Sequence, residues 1–169
     1  MTNQSTTPAQ ASSSPKGWTP PPPDVWERML RRERFMIRWF NFSMLSYRNG
    51  KARNMPMVAT CILTTKGRKS GKWIEQPIYY FRDGENYAVI ASKGGMPKHP
   101  VWFLNLEADP NCKIYVNWRT HNVRARVATG EERARIWANA AKLYPDYNDY
   151  QVTANPRVIP VVVLEKRTP

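Results

Sequence analysis

The chain has 169 residues, which is long enough for one domain with a buried core. Its 26 Lys and Arg residues against 13 Asp and Glu residues give a formal net charge of +13. This charge indicates a polyanionic partner, such as nucleic acid, an anionic membrane face or a phosphorylated cofactor. The residues after Met1 form no basic and apolar leader, and no apolar run reaches about 18 residues. We therefore expect a cytoplasmic protein without a membrane-spanning helix.

The cysteines and histidines predict no metal site. Cys61 and Cys112 each lie within an apolar run, which is typical of buried thiols in a reducing compartment and disfavours a disulfide. His99 and His121 lie far along the chain from any pair of cysteines, so the spacing of a zinc site is missing.

The first 50 residues are predicted to divide into a tail and a helix. Residues 1–23 are rich in Ser, Thr, Gln and Pro. We expect them to be disordered, because they contain too little apolar surface to offset the entropy of ordering. From Asp24 the pattern changes to a capping box with Glu27, which predicts a helix to about Arg48 within a basic segment, residues 24–50.

This predicted helix combines an apolar stripe with a basic flank. The stripe consists of Trp26, Leu30, Ile37, Phe40, Met44 and Tyr47. The flank consists of Arg28, Arg31, Arg32, Arg34 and Arg38. Two interpretations stay open. The helix packs on the core with a solvated basic face, or it lies on anionic headgroups at the inner face of the cell membrane.

The remainder of the chain has mainly the period of β-strands. Six strands are predicted, at 58–65, 73–82, 86–91, 112–118, 123–128 and 158–165. Two helices are predicted, at 100–108 and about 129–143. Because most of the strands follow one another through hairpins, the pattern favours a mostly β (α+β) fold: a small, mostly antiparallel barrel with outer helices.

The first candidate site is the loop between the first two predicted strands. It carries four cations within seven residues: Lys66, Arg68, Lys69 and Lys72. A bound anion would relieve their mutual repulsion, and the glycines of the loop let backbone N–H groups approach phosphate oxygens. A solvated turn remains the alternative.

The second candidate site is a glycine-rich turn that leads from a strand into a helix. Gly94 and Gly95 let the backbone approach a ligand, and a turn before a helix N-terminus favours anions. Ser92 offers a hydroxyl group at the end of the strand. We interpret His99 as a hydrogen-bonding group at the helix entry rather than as a catalyst.

The third candidate site is a group of tyrosines, Tyr144, Tyr147 and Tyr150. If this segment is helical, the spacing of three residues places the rings on one face. Three phenols on one side could line the site of a flat ligand and donate hydrogen bonds to a carbonyl or nitro oxygen. A structural aromatic corner is the alternative.

Together these segments resemble the deazaflavin-dependent nitroreductase family of actinobacteria. The matching blocks are 63–71, 76–80, 91–95, 99–106, 144–151 and 157–163. The resemblance covers about residues 56–166. It implies a split β-barrel domain over residues 56–167, similar to the flavin-binding pyridoxamine-phosphate oxidases. It also implies coenzyme F(420), whose deazaflavin ring carries an anionic phosphate and polyglutamate tail.

The resemblance also implies roles for individual residues. The anionic tail of the cofactor is expected at Lys66, Arg68, Lys69 and Lys72. The deazaflavin ring and its linker are expected at Ser92, Lys93, Gly94, Gly95, Val101 and Trp102. The substrate side is expected to be lined by Tyr79, Tyr144, Tyr147 and Tyr150. Tyr147 and Ser92 are the expected catalytic residues.

The activity implied by the resemblance is hydride transfer from reduced F(420) to a small planar electrophile: a quinone, an enone or a nitro-heterocycle. A membrane quinone is a possible substrate, and no nucleic-acid partner is expected. Two alternative hypotheses for the function stay open. One is a basic module that binds nucleic acid or membrane without catalysis. The other is a split barrel that binds flavin or haem.

Overall fold

The computed structural model describes residues 21–167, which form one curled sheet with helices around it. The helices are α1 (Pro23–Phe40), α2 (Met44–Arg53), α3 (Val101–Ala108), α4 (Gly130–Leu143) and α5 (Asp146–Ala154). The strands are β1 (Thr60–Lys66), β2 (Trp73–Tyr79), β3 (Phe81–Asp83), β4 (Asn86–Ile90), β5 (Asn111–Val116), β6 (Arg119–Val127) and β7 (Val161–Lys166). A single 3₁₀ turn covers Lys93–Gly95.

The sheet is antiparallel throughout and has the strand order β2-β1-β5-β6-β7-β4-β3. Its two edge strands, β2 and β3, are consecutive in the chain and are separated only by Tyr80. A one-residue connection between opposite edges requires the sheet to curl until those edges approach each other. The result is a half-barrel, which confirms the predicted fold class.

Both faces of the sheet are buried, because alternate residues of a strand point to opposite sides. On β4, Val89 belongs to the cluster inside the barrel and Ala88 to the cluster outside. Helix α3 contributes to the inner cluster, and helices α4 and α5 contribute to the outer one. Cys61 and Cys112 are free and buried in the inner cluster, as predicted.

The prediction of one helix from Asp24 to about Arg48 is wrong. Helix α1 ends at Phe40. Its C-cap, Asn41, adopts the left-handed conformation, and helix α2 begins after Ser43. The hydroxyl oxygen of Ser43 accepts a hydrogen bond from the Ser46 backbone N–H, so it caps the new helix. The capping box is also wrong, because the N-cap of α1 is Pro22 and no side chain caps it.

The break also overturns the predicted apolar stripe. Phe40, Met44 and Tyr47 lie on either side of the break and are exposed, whereas Ile37 is buried. The basic flank lies wholly within α1, and part of it contacts the sheet. Arg34 and Arg38 pair with Glu75 on β2, which fixes α1 against the barrel.

Two of the strand predictions need correction. The predicted strand 73–82 is interrupted at Tyr80, where the chain crosses between the two edges of the sheet, so there are seven strands in the described residues rather than six. The β5–β6 turn lies at Asn117 and Trp118, where both residues adopt positive φ values, and not in the gap between the predicted strands 112–118 and 123–128. Such values are those of a two-residue hairpin turn.

The predicted disordered tail lies outside the described residues, apart from its last three positions. Of these, Pro23 is the first residue of α1. Within residues 21–167, no helix has both the length and the apolar character needed to cross a membrane.

Candidate functional site

The basic loop joins β1 to β2 and is closed by its own backbone. Gly67 donates its N–H to the Lys72 carbonyl at 2.8 Å, and Gly71 donates to the Gly67 carbonyl at 2.7 Å. The four cationic side chains of the loop are exposed. Among the described residues, none of them forms an ion pair. The loop therefore presents concentrated positive charge, and Lys66 also interacts electrostatically with the Asp109 carboxylate.

Asn105 fixes this loop to helix α3. Its side chain is buried, and its Oδ1 accepts hydrogen bonds from the backbone N–H of Arg68 at 3.2 Å and from Arg68 Nη1 at 3.3 Å. Its Nδ2 donates to Thr65 Oγ1 at 3.2 Å. Asn105 was not among the predicted site residues. The sequence signal that could have identified it is a polar residue within the apolar run 101–106.

Arg157 holds the glycine-rich turn in place. Its guanidinium donates to the carbonyl oxygens of Ala91 at 3.0 Å, Ser92 at 2.7 Å and Met96 at 2.7 Å. This residue was also missed, because its partners lie more than 60 residues earlier in the chain. The guanidinium also lies 3.5 Å from His99 Nδ1. Burial first, and then the charge of Arg157, lower the pKa of His99.

The glycines of this turn serve two purposes. Gly95 has a φ of +76°, and an added Cβ would lie 3.0 Å from the Cα of Tyr150, so helix α5 packs directly on the turn. Gly94 has a φ of +61°, and an added Cβ would meet nothing within 4 Å. The half-buried Ser92 hydroxyl makes no hydrogen bond within residues 21–167. The turn therefore offers an open backbone and a free hydroxyl group.

The three predicted tyrosines do meet. The ring of Tyr144 lies 5.1 Å from that of Tyr147 and 6.2 Å from that of Tyr150. Tyr79, the last residue of β2, joins them at 5.4 Å from Tyr144. Only Tyr147 and Tyr150 are in helix α5, whereas Tyr144 precedes it. Four phenols thus form one cluster where β2 ends beside α5.

Three phenols of this cluster have raised pKa values. Burial raises the pKa of Tyr144, Tyr147 and Tyr79, so each remains an O–H donor near neutral pH. Tyr79 accepts a hydrogen bond from Asn49 Nδ2 at 3.0 Å, and the hydroxyls of Tyr144 and Tyr150 lie 3.3 Å apart.

Tyr147 differs from its neighbours in having an uncommitted hydroxyl group. Its side chain is only 3% exposed, and its hydroxyl makes no hydrogen bond within the described part of the chain. No fully buried side-chain nitrogen or oxygen in that part lacks a partner. The hydroxyl must therefore belong to the small portion of Tyr147 that still reaches the surface.

The structure brings the predicted site residues together in two groups. The basic loop is fixed to α3, and the glycine-rich turn is packed against α5 and its tyrosines. On α3, Val101 is exposed whereas Trp102 is buried in the inner core cluster. Strand β2 connects the groups, since it begins after Lys72 and ends at Tyr79. A strand of seven residues spans about 20 Å, so the arrangement suits an elongated ligand with an anionic end and a flat end.

The curled half-barrel, with a basic loop at one end of β2 and a tyrosine cluster at the other, places the chain in the class of split-barrel proteins. A model of the F(420)H2-dependent quinone reductase family matches residues 39–166, and the chain belongs to this family. It is an F(420)H2-dependent reductase, and its cofactor is coenzyme F(420). This confirms the resemblance, the fold and the cofactor inferred from the sequence.

Curated relatives agree with this assignment. A putative F(420)H2-dependent quinone reductase of Mycobacterium tuberculosis is 37% identical over 65% of this chain and 92% of its own length. An F(420)H2-dependent quinone reductase of the same species is 36% identical over 63% of this chain and 72% of its own length.

Solved structures agree as well. An F(420)H2-dependent reductase is 38% identical, has a TM-score of 0.58, and is matched over 63% of this chain and 93% of its own. A structure described as a domain-swapped dimer is 33% identical, has a TM-score of 0.59, and is matched over 85% of this chain and 100% of its own. A haem-binding protein of Mycobacterium smegmatis, 16% identical with a TM-score of 0.50, is matched over 75% of this chain and 52% of its own and shows the fold alone.

Proposed function

We propose that the chain uses reduced F(420) to reduce a quinone. The observation that carries this proposal is the layout along β2, with exposed cations that form no ion pair within residues 21–167 before the strand and a cluster of phenols at its end. A cofactor with an anionic tail and a flat ring matches both ends of that layout. The quinone is favoured because the relatives at 36–37% identity are named for this substrate.

The tail of the cofactor is assigned to the basic loop, and its ring to the glycine-rich turn. Phosphate and glutamate carboxylates would pair with Lys66, Arg68, Lys69 and Lys72. The ring and linker would contact Ser92, Lys93, Gly94, Gly95, Val101 and Trp102. Three features support this assignment: the cations are unpaired, a Cβ at Gly94 would meet open space, and the Ser92 hydroxyl is free.

The phenols are assigned to the substrate. When bound, reduced F(420) supplies a hydride to an electrophilic carbon, and the protein supplies orientation and hydrogen-bond donors. Tyr79, Tyr144 and Tyr150 would line the face of a planar substrate. The uncommitted hydroxyl of Tyr147 would donate to the substrate oxygen as negative charge develops on it. A donor that is already neutral and positioned needs no reorganisation during the reaction.

The substrate class is tested by following the absorbance of reduced F(420) with three acceptors in parallel: a naphthoquinone, a cyclic enone and a nitroimidazole. We expect the naphthoquinone to be reduced with the highest kcat/KM, because two carbonyl oxygens meet a cluster of O–H donors. A chain that binds F(420) but leaves the naphthoquinone unreduced would contradict the quinone assignment. Faster reduction of the enone or the nitroimidazole would move the assignment to that class.

We further propose that α1 places the enzyme on an anionic membrane, where a lipid quinone is available. Three aromatic side chains are exposed on this helix: Phe35 at 53%, Trp39 at 69% and Phe40 at 61%. Phe35 is the centre of the group, with its ring 6.1 Å from Trp39 and 6.2 Å from Phe40. Exposed arginines accompany them on α1, among them Arg31 and Arg32. Aromatic and cationic side chains together are typical of helices that lie in the membrane interface.

Replacing Phe35, Trp39 and Phe40 with serine is expected to abolish sedimentation with phosphatidylglycerol vesicles. The core should persist, because the buried contacts of α1 are made by Ile37 and Glu33. A control carries serine at Val152 and Val158, two exposed residues outside α1. It should sediment like the unaltered protein. Equal sedimentation of the two variants, or none by the unaltered chain, would refute the membrane proposal and leave the enzymatic one intact.

A further inference from the structure

The interior of the half-barrel opens into a cavity of about 350 Å³ that belongs to none of the groups described above. Arg82, Tyr87, Asn117, Arg119, His121 and Lys166 are among its lining residues. Its volume falls in the range of small-molecule sites, roughly 300–1,000 Å³. The cavity and the glycine-rich turn lie at opposite ends of β4, because Tyr87 is near the start of that strand and Ser92 follows its end.

The cations at this end of the sheet lie on its inner face because alternate residues of a strand point to opposite sides. Lys166 follows Val162 and Leu164 on the inner face of β7, whereas Glu165 points outward and accepts a hydrogen bond from Arg126 at 2.6 Å. On β3, Arg82 points inward, whereas its neighbour Asp83 points outward and pairs with Arg135 of α4. The acidic neighbours are therefore paired on the outer face of the sheet, whereas the exposed cations lie on its inner face at this open end.

These cations on the inner face form no ion pair within the described part of the chain. None of the cavity's lining residues is acidic, and within residues 21–167 neither Arg82, Arg119 nor Lys166 forms an ion pair. Arg82 Cζ and Lys166 Nζ lie 4.5 Å and 5.7 Å from the centroid of the Tyr87 ring. A shared aromatic ring offsets only a small part of the repulsion between two such charges.

Polar donors complete the lining. Asn117 Oδ1 accepts a hydrogen bond from Asn41 Nδ2 at 3.2 Å, so the Asn117 amide N–H groups are directed away from that contact. The His121 ring lies 6.0 Å from the Tyr87 ring. Burial, followed by the charges of Lys166, Arg119 and Arg82, lowers the pKa of His121.

We infer that this open end of the barrel is a second binding site, for a phosphate group, distinct from the proposed F(420) site. A phosphate dianion matches three converging cations better than a carboxylate does, and an arginine fork can bind two of its oxygens. The group belongs either to a free phosphorylated molecule or to the headgroup of an anionic lipid.

The test uses the full chain and follows the imidazole signals of His121 by NMR. Only two histidines occur in the chain, so a His121→Gln variant assigns the signals. Inorganic phosphate and pyrophosphate form one arm, and phosphatidylglycerol vesicles against phosphatidylcholine vesicles form the other. A bound anion should shift the His121 signals and raise the pKa of this histidine, because it offsets the neighbouring positive charges.

Two double variants, each of which removes two positive charges, show whether anion binding depends on the cavity. Arg119→Gln with Lys166→Gln removes two cations of the cavity and should weaken binding about tenfold or more. Arg124→Gln with Lys142→Gln removes two exposed cations elsewhere and should change binding by less than about twofold.

The outcomes are distinct. A His121 response to phosphate that only the cavity variant loses supports a free phosphorylated ligand. Binding to phosphatidylglycerol vesicles that only the cavity variant loses supports a headgroup. His121 signals that respond to neither, or equal losses in both variants, would overturn the site. The cavity variant should still oxidise reduced F(420), so failure of this site is separable from failure of the proposed function.

Discussion

Replacing Tyr147 with phenylalanine is expected to lower the rate of quinone reduction by ~10²–10³-fold, the usual cost of removing one donor to a developing oxyanion. Affinity for F(420) should stay unchanged. So should the thermal midpoint, because the hydroxyl makes no hydrogen bond within the described chain and the ring is retained. Single-turnover rates with the naphthoquinone, together with an unfolding curve, measure both effects.

The matched control is Tyr47→Phe, which removes the hydroxyl of an exposed tyrosine on α2. It should leave the rate unchanged. If Tyr147→Phe also retains the full rate with the quinone, the enone and the nitroimidazole, the proposed donor is wrong. Tyr150 and Ser92 then become the next candidates, since both are half-buried rather than buried.

Replacing Arg157 with methionine is expected to have the second large effect. Methionine keeps much of the length of the side chain but removes every donor to the carbonyls of Ala91, Ser92 and Met96. The free energy of unfolding should fall by about 2–4 kcal/mol, because hydrogen bonds from a charged donor are lost and carbonyl groups are left without partners. Affinity for F(420) should fall as well, because the turn that receives the ring loses its support.

Denaturant unfolding and F(420) titration of the same samples test this prediction. Arg124→Met is the control, since the Arg124 side chain is exposed on β6 and makes no hydrogen bond within residues 21–167. If Arg157→Met has the unfolding midpoint and cofactor affinity of the control, Arg157 does not position the turn.

Local patterns were enough to predict much of the fold. The β-branched run at 58–65 and the alternation after Trp73 identified two strands, and the apolar block at 100–108 identified α3. The curled sheet followed from the number of hairpins. The break at Asn41 was missed because neither glycine nor proline marks it. The N-cap preference of Ser43 was its one local signal.

Contacts between distant parts of the chain explain the remaining errors. The interruption at Tyr80 depends on the pairing of β2 and β3 at opposite edges of the sheet, which no local pattern records. Asn105 reaches Arg68 across 37 residues and Arg157 reaches Ser92 across 65, so neither role was visible in the sequence. The basic loop, the glycine-rich turn and the tyrosines were found because each is a contiguous segment of unusual composition.

Equilibrium titration of the full chain with F(420), followed by the fluorescence of the cofactor, tests the central claim most directly. We expect saturable binding, with no comparable binding of flavin mononucleotide or haem. Arg68→Glu with Lys69→Glu should weaken F(420) binding by at least about tenfold, and more at low ionic strength. Arg31→Glu with Arg32→Glu, the same reversal of charge on α1, should have little effect. Equal affinities of the two variants, or flavin bound in place of F(420), would contradict the account.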